Sequence, residues 1–267
     1  MIPLEDNFAD VLGKAMAGTG LGESAAGQKA GLDTVQVRAL LAGRFDEDAA
    51  RALATALGLK AEALLRLGRG DYRPAVEVPS NLAQLTTPFG GMTVNAYVLW
   101  DAESRGAAIF DTGAEAAPIL DLVAREKLEV AGIFLTHSHA DHIHALAALQ
   151  RALGVDAWSS QFEPVRGTNN FRPGDVFNAG RHFIRTRHTP GHSSGGATFV
   201  IEGKQIGAAI VGDAIFAGSA GGVRGNYAEA LQTIRREILS LPEGTIVCPG
   251  HGPMTTVGQE KANNPFF

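Results

Sequence analysis

Two spacings of apolar side chains divide the chain. In roughly the first seventy residues they recur at helical intervals, with Phe8, Val11, Leu12 and Ala15 on one stripe and Ala49, Leu53, Ala56 and Leu57 on another, and β-branched runs are almost absent. Later in the chain, short apolar runs bounded by Gly-rich turns predict strands over residues 82–85, 93–100, 107–110, 130–135, 156–159, 182–187, 197–201, 205–211 and 245–248. Helical spacing returns near 116–127, 143–153 and 227–240. The pattern changes near residues 69–79, with 68–74 as the linker, so a helical domain is expected over 1–74 and an α/β domain over 75–267.

Chemistry concentrates just after one of the predicted strands. The apolar run 130–135 leads into Thr136-His137-Ser138-His139-Ala140-Asp141-His142, three imidazoles and a carboxylate at a strand-to-helix junction. Side chains packed so densely with nitrogen and oxygen donors rarely serve a core. His137 and His139 alternate and leave an extended turn on one side, while Asp141 and His142 follow at the mouth of the helix and can face a second point nearby. Three further candidates stand downstream in Thr189-Pro190-Gly191-His192, Val211-Gly212-Asp213 and Cys248-Pro249-Gly250-His251, each at the end of an apolar run and framed by turn formers. Five imidazoles and two carboxylates suit borderline-soft divalent ions. Seven ligands exceed one tetrahedral centre and fit two.

The ordered set THxHxDH, TPGH, GD and PGHG resembles the metallo-β-lactamase superfamily, and within it the glyoxalase II-like hydrolases. The resemblance spans about residues 80–267 and includes stretches without ligands: 94–99, 109–113 and the tail 255–266. It implies a four-layer αββα sandwich with His137, His139 and His192 on one metal, Asp141, His142 and His251 on the other, and Asp213 bridging. Asp141 and Asp213 are then the expected catalytic carboxylates. The implied cofactors are two divalent ions, zinc first and iron or manganese as alternatives. Asp111 would support a ligand from behind, and His144 would line the pocket or do the same. His182 and His188 match no ligand position.

The implied chemistry is hydrolysis of a small-molecule ester or thioester by a hydroxide bridging the two ions, with S-acyl glutathione as the specific version. Relatives that recognise glutathione use basic and tyrosine side chains after the bridging aspartate, and here that stretch offers Arg224 and Tyr227 as substrate contacts. Within the same superfamily the alternatives are a mononuclear-iron persulfide dioxygenase and a lactonase. Outside it stands a DNA-binding regulator that senses a ligand.

That last alternative comes from the helical region. Residues 23–43 read as a helix, a tight turn at Gly31 and a second helix capped by Asp33. Residues 8–67 resemble the Cro/cI-type helix-turn-helix, which would make Thr34, Gln36 and Arg38 the DNA contacts. Up to Pro74, however, nine basic residues face ten acidic ones, which is no basic surface. Gly27 inside the first helix costs about 1 kcal/mol relative to Ala. A helical bundle that forms a homodimer or covers the active-site rim is the competing expectation.

Composition adds bounds. A net charge of -5 over 267 residues gives no global attraction to nucleic acid or anionic membrane. The single cysteine, Cys248, lies in an apolar run and reads as a buried thiol, which agrees with a reducing, cytoplasmic home. Neither a leader pattern nor an apolar stretch long enough to cross a membrane is apparent, so no membrane partner is expected.

Overall fold

The computed structural model describes residues 2–202, 207–223 and 225–267. Five helices come first: α1 (Phe8–Thr19), α2 (Glu23–Ala30), α3 (Thr34–Leu41), α4 (Glu47–Ala56) and α5 (Ala61–Arg69). Asn7, Asp33 and Asp46 cap α1, α3 and α4 by accepting backbone N–H groups that would otherwise lack partners. Their apolar stripes meet in one core built on Val11, Leu12, Ala15, Val37, Leu40, Leu53 and Leu64.

Two six-stranded sheets follow. The first contains β1 (Leu82–Phe89), β2 (Met92–Trp100), β3 (Gly106–Phe110), β4 (Glu129–Phe134), β5 (Ala157–Ser160) and β6 (Asn169–Phe171), in that order across the sheet. β7 (Val176–Ala179), β8 (His182–His188), β9 (Ala197–Glu202), β10 (Ala208–Gly212), β13 (Ile246–Pro249) and β14 (Thr255–Thr256) form the second, ordered β14-β13-β10-β9-β8-β7. A small hairpin, β11 (Ile215–Phe216) with β12 (Ser219–Ala220), lies between β10 and β13 in the chain. The remaining helices are α6 (Ala117–Glu126), α7 (Ala140–Ile143), α8 (Leu146–Leu153), α9 (Tyr227–Glu237) and α10 (Val257–Asn263).

Strand alternation explains the layers. Tyr97 and Leu99 of β2 point between the sheets with Phe110, Phe134, Phe199, Ile210 and Cys248, whereas Ala96, Val98 and Trp100 point outward to pack with Ile119 and Leu122 of α6 and Leu149 of α8. On the second sheet, Ala209 and Val211 likewise face Ile234 of α9. Both faces of the central strands are therefore covered, and their sequences read as unbroken apolar runs. The result is the helix-sheet-sheet-helix sandwich that the family resemblance implies, preceded by the helical region.

Several elements differ from expectation: β6, β7, β11, β12, β14 and α10 are not among the strands and helices read from the sequence. The helix expected to run on from Ile143 is split into α7 and α8, because Thr112 N and Thr112 Oγ1 both donate to the carbonyl of His142, at 2.8 and 2.9 Å, and draw it out of the helical ladder. β1 runs on to Phe89, through Pro88, which an edge strand tolerates because it needs no inward N–H. Residues 205 and 206, assigned to a strand from sequence, lie outside the described residues.

The helical region is sealed onto the sandwich. Its core continues into Ala217 and Ala220 of the β11–β12 hairpin and into Phe266. Lys14 donates to the carbonyl of Ala220 at 2.9 Å and pairs with Asp6, which also accepts from Ser219 Oγ at 2.5 Å. Beneath them Tyr72 OH donates to the fully buried Glu260 at 2.6 Å. Thr255 Oγ1, Asn264 Nδ2 and Gly218 N supply that carboxylate's other donors. Burial raises the pKa of Glu260, and the four donors work against that shift.

Tyr72→Phe should remove one hydrogen bond to a buried carboxylate and lower stability by about 1.5–3 kcal/mol. Thermal denaturation should show a midpoint several degrees lower, and an unchanged midpoint would show that this network does not bind the two regions together.

Candidate metal centre

Every residue of the cluster follows the end of a strand on one edge of the sandwich. Asp111 follows β3, residues 136–142 follow β4, His192 follows β8, Asp213 follows β10 and His251 follows β13. The strands supply rigid mounts, and the connecting loops carry the donors. Gly250 is required here: a Cβ at that position would fall on Asp213 Oδ1 and the His142 ring.

The donor atoms form two adjacent sets. His139 Nδ1 lies 3.0 Å from His137 Nε2 and 2.9 Å from His192 Nε2, and Asp213 Oδ2 lies 3.4 Å from His192 Nε2. In the other set, Asp141 Oδ2 is 3.3 Å from His251 Nε2 and 3.6 Å from His142 Nε2. Asp213 joins the two, with Oδ1 3.3 Å from His142 Nε2 and Oδ2 3.3 Å from His251 Nε2. Within each set, His137, His139, His192 and Asp213 on one side and Asp141, His142 and His251 on the other, all ligand atoms lie within 4.8 Å of one another.

These separations fit metal ligation better than hydrogen bonding. Ligands at about 2.0–2.2 Å in a tetrahedron stand about 3.3–3.6 Å apart, the range most of these pairs occupy. His142 Nε2 and Asp213 Oδ1 are buried without a hydrogen-bond partner, although they face each other at 3.3 Å. Orphaned buried polar atoms of this kind call for an ion or another partner.

Hydrogen bonds behind the rings set their tautomers. His142 donates from Nδ1 to Asp111 Oδ2 at 2.8 Å, His251 from Nδ1 to Thr93 O at 2.6 Å, and His192 from Nδ1 to Gly222 O at 3.1 Å. Thr136 Oγ1 donates to Asp111 at 2.8 Å and so accepts from His137 Nδ1 at 3.0 Å. Each Nε2 is thereby left facing the site, where it can give its lone pair to an ion once it has lost any proton it carries. Asp111 itself holds a left-handed backbone, φ 54°, which costs about 1–3 kcal/mol and is retained where its carboxylate gathers Thr136 and His142.

Electrostatics point the same way. Burial disfavours charge on His142, yet Asp213 and Asp111 outweigh it and raise its pKa to about 10. His251 is lifted to about 11 against burial by Asp141 and Asp213. Asp141 is brought down to about 2, despite burial, by the hydrogen bond from His251 and the charge of His142. Burial, with His142 beside it, pushes His137 well below the usual imidazole range, and burial also lowers His192. Among the described residues, the positive charge that these carboxylates attract comes from protonated ligand imidazoles.

Other sequence candidates fall elsewhere. His144 is exposed, its ring edge-on to Phe89 at 5.5 Å, and it makes no hydrogen bond to the cluster among the described residues. Arg224 lies outside the described residues. Tyr227 packs against Gly18 of α1 and the helical core. Thr34 is half-buried at the start of α3, Gln36 is engaged in the Asp33 capping box, and Arg38 pairs with Glu23 at 2.6 Å. Cys248 is fully buried, and burial raises its thiol pKa.

Sequence reasoning missed Thr93, Asn95 and Glu163. Asn95 Nδ2 donates to Pro249 O and Gly252 O, both at 2.9 Å, on either side of His251. Glu163 lines a groove of about 670 Å³ with Ser138, His139, Ser194, Asn226 and Glu229. All three act across long sequence separations, so no local pattern marks them.

The model of the metallo-beta-lactamase superfamily matches residues 89–251. Hydroxyacylglutathione hydrolase GloC of Haemophilus influenzae is 31% identical over 207 residues, covering 67% of this chain and 95% of its own. Among solved structures, the B3 metallo-beta-lactamase BLEG-1 is similar at 33% identity and a TM-score of 0.59, over 69% of this chain and 98% of its own. TTHA1623 in a di-iron-bound form is similar at 29% identity and a TM-score of 0.57, over 68% and 100%.

With His142 and His251 protonated near neutral pH in the metal-free protein, metal binding should release protons and tighten as pH rises from about 6 to 9. Calorimetric titration with zinc in buffers of different ionisation enthalpy checks this. Heats independent of the buffer would contradict it.

Proposed function

The chain belongs to the metallo-β-lactamase superfamily, and from that premise we propose that it is a dinuclear metallohydrolase cleaving an acyl thioester or ester, with S-acyl glutathione as the leading candidate. The observation that carries this reading is the pair of donor sets sharing Asp213, with His142 Nε2 and Asp213 Oδ1 buried and unpaired between them. His137, His139 and His192 would hold one ion, Asp141, His142 and His251 the other, and Asp213 both. Zinc suits this nitrogen and oxygen set, and iron suits it as well, as the similarity to a di-iron-bound protein supports.

Two divalent ions supply Lewis acidity, lowering the pKa of water and polarising a carbonyl. The protein's own residues do the rest. Asp213 fixes the separation of the two sets, and Asp111 fixes the orientation of His142. Asp141, half-buried at the mouth, is held down to about 2, against burial, by the hydrogen bond from His251 and the charge of His142, so it would meet an ion as a carboxylate. Glu163 in the groove is likewise ionised and hydrogen-bonded.

That balance favours a thioester over an alkyl ester. A thiol leaves as its anion, with a pKa of about 8.5, whereas an alkoxide is closer to hydroxide, with a conjugate-acid pKa of about 15.7, and needs a proton from an acid. The relative named as a hydroxyacylglutathione hydrolase supports the same choice.

For residues 1–74 we propose a structural wall of the active-site region. Gln36 and Arg38 are engaged locally, and the helices bury the hairpin that follows Asp213. Gel-shift titration at about 0.15 M salt should show no sequence-specific binding to the protein's own upstream DNA. Specific binding lost on mutating Gln36 and Arg38 would contradict that assignment.

The metal-loaded protein should hydrolyse S-lactoylglutathione or a generic acyl thioester faster than homoserine lactones or alkyl esters. Asp213→Ala should lose bound metal and lower turnover by more than about a hundredfold. Absence of thioester hydrolysis in protein carrying two ions, or full activity in Asp213→Ala, would overturn the reading. Oxygen uptake with glutathione persulfide would point to the iron dioxygenase instead.

A further inference from the structure

The two donor sets are each assembled across the seam between the sheets. His137 and His139 follow β4 of the first sheet, whereas His192 follows β8 of the second. Asp141 and His142 belong to the first, and His251 follows β13 of the second. Metal ligation needs ligand atoms placed within a few tenths of an ångström, so each seam needs something that fixes one loop against the other.

Glu163, just beyond β5, spans the first seam. Its Oε1 accepts from Ser138 N at 2.8 Å and Ser138 Oγ at 2.5 Å, and Ser138 stands between His137 and His139. Its Oε2 accepts from Gly195 N at 2.7 Å and Ser194 Oγ at 3.3 Å, in the loop that carries His192. Gly195 leaves the room this requires, since a Cβ there would run into the Glu163 backbone and Cβ. Burial opposes the charge, but the Ser138 hydroxyl and the Gly195 and Ser138 amides bring the carboxyl to about 2, so it stays ionised at any working pH.

The second seam has different tethers. Asn95 N donates to Gly250 O at 2.8 Å, its Nδ2 grips the carbonyls flanking His251, and Tyr97 OH donates to Pro249 O at 2.7 Å. No hydrogen bond of Glu163 reaches this loop among the described residues.

We propose that Glu163 is the positioning residue of the His137, His139 and His192 set, holding it together across the seam, while Asn95 does so for the Asp141, His142 and His251 set. The inference rests on the dinuclear reading and adds that the two sets are secured separately. A change at Glu163 therefore weakens one ion and spares the other. It does so without touching a ligand.

The test is zinc titration of the wild-type protein, Glu163→Ala, Glu163→Gln and Asn95→Ala, with anomalous diffraction at the zinc edge to show which ion is lost. Glu163→Ala should bind the ion beside His192 about 10–100-fold more weakly and keep the ion beside His251. Glu163→Gln, which retains the bulk and can still accept from Ser138 but turns an N–H toward Gly195, should show a smaller loss at the same ion. Asn95→Ala should weaken the ion beside His251. Unchanged affinities at both ions in the two Glu163 variants, or equal loss at both ions with a lowered metal-free melting midpoint, would overturn the proposal. A wild-type chain that binds a single ion contradicts the dinuclear reading itself, whatever the variants do.

Discussion

Everything at this edge of the sandwich turns on the carboxylate of Asp213. It is almost wholly buried and lies within 3.4 Å of His142, His192 and His251, three imidazoles carried by three different loops. Burial by itself opposes its charge, yet the imidazoles of His142 and His251 hold its pKa well below the ordinary carboxylate value. A buried anion of this kind is tolerated only where cationic partners converge. The strand ends, the Gly250 turn and the hydrogen bonds behind each ring all serve that convergence.

The helical region packs against the chain just beyond that carboxylate. Asp213 leads directly into the β11–β12 hairpin, whose residues are buried under α1, α5 and Tyr72 rather than against solvent. Lys14, Asp6 and Glu260 supply the polar anchors. The hairpin that follows Asp213 is thus covered by a part of the chain outside the matched family region.

Much of this was legible in the sequence, and for a physical reason. Strand-end motifs such as His137-Ser138-His139 and Pro249-Gly250-His251 are local: donor spacing and turn formers stand side by side in the chain. The αββα layering was legible because β2 and β10 are apolar on both faces. Less legible was anything that pairs distant residues. Glu163 lies 25 residues from Ser138 and 32 from Gly195, in a stretch with no motif, and Asn95 is 154 residues from Pro249. The split between α7 and α8 escaped because Thr112 competes for the His142 carbonyl from another loop. The Gly-rich run after Asp213 gave no strand signal. It forms a hairpin because the helices cover it.

Metal content per chain, measured together with anomalous diffraction from the zinc-loaded protein, decides whether Asp213 joins two ions. Two ions per chain are predicted, one beside His137, His139 and His192, the other beside Asp141, His142 and His251, with Asp213 touching both. A single ion at saturation, or density away from Asp213, would contradict the account.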